Sequence, residues 1–247
     1  MQTNRVLILG GTGDARGIAA ELVGAGRDVI TSLAGVTEQP LWPAGEVRRG
    51  GFGGVEGLRQ FLVEEGIALV IDATHPFAAR MSAQAVEACA GENVPLLRFE
   101  RPAWKVEAGD RWISASSIGE AALLLPPNAR VFLTIGRTEL AQFFARSDLS
   151  GVARMIEPPP MDVPPQWEVL RQRPPFAEAS EAELLVRHGI SHVVSKNAGG
   201  DATEAKLTAA RRLGLQVVMI GRPAKPAAPR FSARADLIRH VERLLSP

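Results

Sequence analysis

A doubly wound α/β fold in two Rossmann-like lobes with mainly parallel sheets is the prediction for this chain, and three observations carry it. Short apolar, β-prone runs alternate with helically patterned segments along almost all of its 247 residues, as in parallel sheets covered on both faces. The first run, residues 5–9, ends in Gly10-Gly11-Thr12-Gly13-Asp14-Ala15-Arg16-Gly17 and passes straight into a helical pattern. Glycines at a strand-to-helix turn let an anion approach free backbone N–H groups at the positive end of a helix dipole. The pattern starts afresh past residue 115, which divides the chain into an N-terminal lobe, 1–118, and a C-terminal lobe, 119–247, with an expected cleft between them.

Each element has its own reason. Residues 6–9 are a continuous apolar run and read as a strand; 14–23 follow as a helix, with Ile18, Ala19 and Leu22 on one stripe. Residues 28–33 are a second strand. The turn Gly50-Gly51-Phe52-Gly53-Gly54 precedes a helix over 55–65. Strands at 68–72 and 95–99 bracket a helix over 78–89. The restart has a strand at 110–114 and a helix at 117–125 stopped by Pro126-Pro127. A strand over 130–135 meets Gly136-Arg137 and a helix over 139–145. Strands at 152–156 and 167–170 flank a proline-rich run that starts at Pro158-Pro159-Pro160. Residues 180–188 read as a capped helix with acidic residues in its first turn. A strand at 192–195, a helix at 203–213 and a strand at 216–220 make a further βαβ unit. Residues 223–229 are stiff and irregular, and a helix over 232–245 closes the chain.

Bulk composition removes several classes of function. A net charge of +1 gives no global basic field, so no nucleic-acid partner is expected. The single cysteine, Cys89, excludes an internal disulfide framework and a cysteine-based zinc site, and reads as a buried helical thiol. His188, His192 and His240 have no metal-ligand spacing with His75, so no metal is expected. No apolar run is long enough for a membrane span or a signal-peptide core, which gives the expectation of a soluble, cytoplasmic protein.

Four unusual turns fall at strand carboxyl ends, where open parallel sheets bind ligands. The first holds Gly11, Thr12, Gly13, Asp14 and Arg16; its glycine spacing, G-x-G-x-x-x-G, departs from the dinucleotide fingerprint, with Arg16 where the third glycine belongs. The second is Asp72-Ala73-Thr74-His75-Pro76-Phe77-Ala78. Its functional reading has Thr74 touching a cofactor and His75 donating a proton; the alternative is a self-capped turn held by Asp72 or Thr74. The third, Thr134-Ile135-Gly136-Arg137, and the fourth, Ser195-Lys196-Asn197-Ala198-Gly199-Gly200-Asp201, set Arg137 and Lys196 beside glycines. Thr203 and Lys206 open the following helix as a further anion site. The second strand, Val29-Ile30-Thr31-Ser32-Leu33-Ala34, lacks the terminal acid that binds the ribose 2′-hydroxyl of NAD, which fits NADPH. Arg48 and Arg49 are nearby basic candidates, or simply an exposed basic turn. No G-x-S-x-G elbow, P-loop or H-E-x-x-H motif is present, and the absence of tyrosine disfavours a Tyr-x-x-x-Lys carbonyl reductase.

In their order and spacing these four turns resemble the precorrin-6A reductase family of cobalamin biosynthesis over nearly the whole chain. Two positions depart from the family pattern: Asp14 stands where glutamate is frequent, and Ala198 where serine is frequent. The resemblance implies reduction of one double bond of the precorrin-6A macrocycle by NADPH, giving precorrin-6B. It implies a cofactor site drawn from Gly11, Thr12, Gly13, Asp14, Arg16, Thr74, His75, Gly136, Arg137, Lys196, Asn197, Gly199, Thr203 and Lys206, with His75 as the candidate catalytic proton donor. The implied substrate is a tetrapyrrole polycarboxylate, for which Arg16, Arg101, Lys105, Arg137, Lys196, Lys206 and Arg222 are available cations. Hand-over to neighbouring pathway enzymes is a further expectation. The alternatives are a non-catalytic NADPH-binding regulator and a cobalt-precorrin-6A reductase.

Overall fold

The computed structural model describes residues 4–35 and 41–246. In chain order the elements are β1 (Arg5–Leu9), α1 (Gly13–Gly24), β2 (Val29–Leu33), β3 (Glu46–Arg49), α2 (Val55–Glu64), β4 (Ile67–Asp72), α3 (Ala79–Glu92) and β5 (Leu96–Phe99). There follow β6 (Arg111–Ala115), α4 (Ile118–Leu123), β7 (Arg130–Thr134), α5 (Ala141–Phe144), β8 (Ser150–Met155), β9 (Trp167–Arg171) and α6 (Glu178–Arg187). The chain ends with β10 (His192–Lys196), α7 (Ala205–Arg212), β11 (Gln216–Ile220), β12 (Arg230–Phe231) and α8 (Arg234–Leu245).

The strands form two six-stranded sheets, ordered β3-β2-β1-β4-β5-β12 and β9-β8-β7-β10-β11-β6. Every neighbouring pair is parallel. Each sheet follows the doubly wound order 3-2-1-4-5, and each fills its sixth position out of turn. In the first sheet that strand is β12, from the end of the chain. In the second it is β6, which precedes all the others.

Alternation along β1 shows how the first sheet is covered. Val6 and Ile8 face α1 and α8, packing with Ile18, Leu22, Leu237 and Val241. Leu7 and Leu9 face the other way, onto Leu58, Leu62, Ala85 and Ala88 of α2 and α3. Each of these large side chains stabilises the fold by about 1.5–3 kcal/mol through burial. In the second sheet Phe132, Val152, Val193 and Val217 pack against Leu185 of α6 and Leu207 of α7. A buried pair, Arg154 with Glu181, ties β8 to α6, and Arg154 stacks 3.6 Å from the Phe176 ring centroid.

The chain divides elsewhere than at residue 118. One unit is built from the chain up to Pro102 together with the chain from Pro223 onward, and the other is Ala103–Arg222. The proline-rich stretch after Gly221 carries the chain back to the first sheet, where Arg98 N–H donates to Pro229 C=O (2.8 Å) and Glu100 N–H to Phe231 C=O (2.9 Å). A two-residue strand has no periodicity to detect, so neither β12 nor the short β3 stands out in the sequence. The helix expected at 180–188 begins earlier, and its Ala177 N-cap supplies no side-chain hydrogen bond. The helix expected at 139–145 shrinks to α5. The one expected at 203–213 separates into a 3-10 turn, Asp201–Thr203, and α7. Cys89 lies buried in α3, as expected, and burial, with Asp72 nearby, pushes its thiol up to about 12, which leaves it unreactive.

Candidate functional site

The four turns do not share one edge. They form two pairs, and each pair flanks the point where its sheet's strand order reverses. β1 and β4 are neighbours at the centre of the first sheet, and β7 and β10 at the centre of the second. Residues 10–16 and 72–78 follow the first two strands, while 134–137 and 195–201 follow the second two. A threonine hydroxyl staples each pair: Thr12 Oγ1 donates to Ala73 C=O (2.9 Å), and Thr134 Oγ1 to Val194 C=O (3.0 Å).

At the first switch point Thr12 is the N-cap of α1, its Oγ1 accepting from Ala15 N–H at 3.0 Å, an arrangement that contributes about 1 kcal/mol. The N–H groups of Gly11, Gly13 and Asp14 have no acceptor among the described residues. Gly11 has φ +99, and a Cβ built on it would meet no heavy atom within 4 Å, so the space at Gly11 is open, while a Cβ on Gly13 would lie 3.6 Å from the Arg16 guanidinium. Gly10 is needed for a different reason, since a Cβ there would come within 2.7 Å of Thr31 Cγ2. Arg16 is half-buried one turn into α1, and its guanidinium has no partner among the described residues. Donors, space and an unpaired cation fit the pyrophosphate of a dinucleotide. Asp14 is different: its carboxylate is held by Arg101 at 2.6 Å, which cancels a negative charge that would repel phosphate.

The second turn is built around Asp72, 1% exposed at the end of β4. Its Oδ1 accepts from Thr74 Oγ1 (2.6 Å) and Thr74 N–H (3.3 Å), and its Oδ2 from Arg98 Nε (3.0 Å). Burial works to raise the Asp72 pKa, but donors including Thr74 and Arg98, with the charge on Lys225, outweigh it and hold the group below the usual carboxylate range. Asp72 thus binds a local N–H group, as in the self-capped reading, whereas Thr74 Oγ1 donates to the Asp72 carboxylate and caps no N–H. His75 is half-buried, and its Nδ1 accepts from Phe77 N–H at 3.3 Å. With Nδ1 as acceptor, the neutral imidazole carries its proton on Nε2.

At the second switch point Glu139, which the sequence motifs did not single out, joins the two turns. Its carboxylate accepts from Gly136 N–H (2.8 Å) and from Lys196 Nζ (2.6 Å). The signal was present, because a glutamate three residues beyond a turn residue is the reciprocal half of a capping pattern. Arg137 is half-buried and donates to Pro158 C=O at 3.3 Å. Asn197 serves the fold, its amide accepting from Trp104 N–H (2.8 Å) and donating to Trp104 C=O (3.0 Å). Gly199 and Gly200 have φ +69 and +83. Lys206 is 3% exposed, donates to Thr203 C=O at 2.6 Å and stands 4.5 Å from the Trp104 ring centroid, so its charge is satisfied internally. Arg222 donates to Asn197 and Ala198 C=O at 2.8 and 3.0 Å, fixing the fourth turn.

Lys196→Ala is expected to change folding stability by less than about 1 kcal/mol, because a partly exposed ion pair contributes little. The Michaelis constants, measured at constant fold, are expected to rise about fivefold; unchanged constants would remove Lys196 from the site.

Among the described residues no helix is long and apolar enough to cross a membrane, and no group of three metal-ligating side chains occurs. Two parallel sheets of doubly wound order, with glycine-bearing turns at both switch points, define a Rossmann-like α/β protein. Residues 5–242 match the family described as precorrin-6x reductase CbiJ/CobK, and the chain belongs to that family. A relative from Rhodobacter capsulatus named precorrin-6A reductase is 47% identical over 90% of each chain. The solved structure titled CobK precorrin-6A reductase superposes with a TM-score of 0.92 at 44% identity, covering 97% of this chain and 96% of that one. A relative from Priestia megaterium named cobalt-precorrin-6A reductase is 31% identical over 88% of this chain and 90% of its own length.

Proposed function

We propose that this reductase converts metal-free precorrin-6A to precorrin-6B with NADPH, binding the cofactor at the first switch point. The chain is an oxidoreductase of cobalamin biosynthesis, as its family membership and 47% identity to a precorrin-6A reductase establish. The observation that carries the site is the set of N–H donors of Gly11, Gly13 and Asp14 without an acceptor among the described residues, with open space at Gly11 and the Arg16 guanidinium beside Gly13. The preference for metal-free over cobalt-bearing substrate rests on similarity, 47% against 31%.

The overall change adds one hydride and one proton across a ring double bond. The bound nicotinamide supplies the hydride; orientation and electrostatics belong to the protein. Gly11, Thr12 and Gly13 shape the phosphate cradle, and Arg16 balances its charge. Asp72 fixes Thr74 and His75 at the adjoining turn, where His75 Nε2–H is the candidate proton donor. Gly136, Arg137, Lys196 and Gly199 form the ligand-facing part of the second switch point. Asn197, Thr203 and Lys206 support it from within. Arg137 and Lys196 are matched to the carboxylates that a tetrapyrrole substrate carries.

Purified protein is expected to consume NADPH only when precorrin-6A is present, followed by the absorbance of the reduced nicotinamide. Equal rates with NADH would overturn the cofactor preference. Faster turnover of cobalt-precorrin-6A would move the substrate to the cobalt-bearing form. Binding of NADPH without turnover of either macrocycle would favour a regulator.

A further inference from the structure

We propose that Arg48, with Ser32 beside it, binds the 2′-phosphate on the adenosine ribose and sets the choice of NADPH over NADH; this rests on the reductase reading above. Ser32 lies near the end of β2, the region where NAD-binding folds carry an acid. Its C=O accepts from Gly10 N–H at 2.9 Å, so this strand end is hydrogen-bonded to the phosphate cradle. The parallel register of β2 and β3 pairs Ser32 with Arg48. Arg48 Nη1 donates to Ser32 Oγ at 3.3 Å, which leaves the serine's own proton to donate onward.

Three features separate Arg48 from other cations of this sheet. Arg5, Arg27, Arg59, Arg98 and Arg101 each have a carboxylate partner. The acceptors of Arg48 are the uncharged oxygens of Ser32, Gly50 (2.7 Å) and Gly51 (2.8 Å), and among the described residues no acid pairs with it. These three bonds use Nη1 and one proton of Nη2, leaving Nε–H and the other Nη2 proton for a phosphate. The guanidinium is also held flat, its Cζ 3.9 Å from the Phe52 ring centroid and 5.2 Å from that of Phe61. Arg49, next along β3, belongs to the opposite face of the strand and lies 6.0 Å from the Trp42 ring centroid. Partial burial lowers the Arg48 pKa from the ordinary arginine value, as for a cation whose counter-charge the fold does not supply.

Calorimetric titration of the full chain with NADP⁺ and with NAD⁺, without tetrapyrrole, tests the assignment. Arg48→Gln is expected to weaken NADP⁺ binding about tenfold or more and to leave NAD⁺ binding within about twofold of wild type. Arg48→Lys, which keeps the charge but loses the fork and the stacking, is expected to fall between them. A melting curve for each variant checks that the fold survives. Equal weakening for both nucleotides would assign Arg48 to latching the Gly50-Gly51 turn and overturn the proposal, as would unchanged NADP⁺ affinity. A wild-type chain that binds neither nucleotide would overturn the placing of the cofactor at the first switch point and this proposal together.

Discussion

Asp72→Asn is expected to destabilise the first unit by about 3–5 kcal/mol, because it removes the counter-charge of a buried arginine. Arg98 is 5% exposed and, besides Asp72, its Nη1 donates to Pro226 C=O at 2.8 Å. Deleting one partner of such a pair leaves an uncompensated buried charge, which costs far more than the pair contributes to folding. The double variant Asp72→Asn with Arg98→Met is therefore expected to recover much of the loss. Urea unfolding of the three proteins measures this, and a single variant within about 1 kcal/mol of wild type would show that the pair anchors nothing. The same pair has a pH signature. The Asp72 pKa is lower in the folded state than in the unfolded chain, so its contribution is fully present above the ordinary carboxylate value. It is lost as pH falls through the depressed folded value, and Asp72→Asn is expected to flatten that part of the acid unfolding profile.

Gly11→Val is expected to abolish cofactor binding, with a loss of at least about a hundredfold in affinity. Two effects combine. At φ +99 a β-branched residue is strained, at a cost of about 1–3 kcal/mol. The added side chain also enters the open space at Gly11, beside the N–H donors of Gly13 and Asp14, where the pyrophosphate is proposed to lie. Nucleotide titration separates the two, since strain alone lowers the unfolding midpoint without removing the binding isotherm. Tight NADP⁺ binding by a folded Gly11→Val protein would move the cofactor away from this turn.

How much of this site was legible before folding depends on the range of the interaction. Gly11, Thr12 and Arg16 were legible because a cap, a positive-φ glycine and a helix N-terminus are local, specified within about one turn of chain. Lys196 and Lys206 looked alike, as lysines near a strand end. Only packing separated them, placing one against Glu139 near the surface and the other under Trp104. Arg48 was a basic residue without a place until β3 aligned beside β2.

The residues by themselves determined the alternation of strands and helices, the parallel character of the sheets and the four turns, since hydrophobic periodicity and backbone stereochemistry act over a few residues. Tertiary structure alone decided that the turns form two pairs, that the last strand returns to the first sheet, and which cations are left without an acid. Strand order is a choice among pairings with similar local energies. Here it is settled by long-range terms, among them the hydrogen bonds of β12 to β5 and the buried pair of Arg98 with Asp72, which no short window of sequence contains.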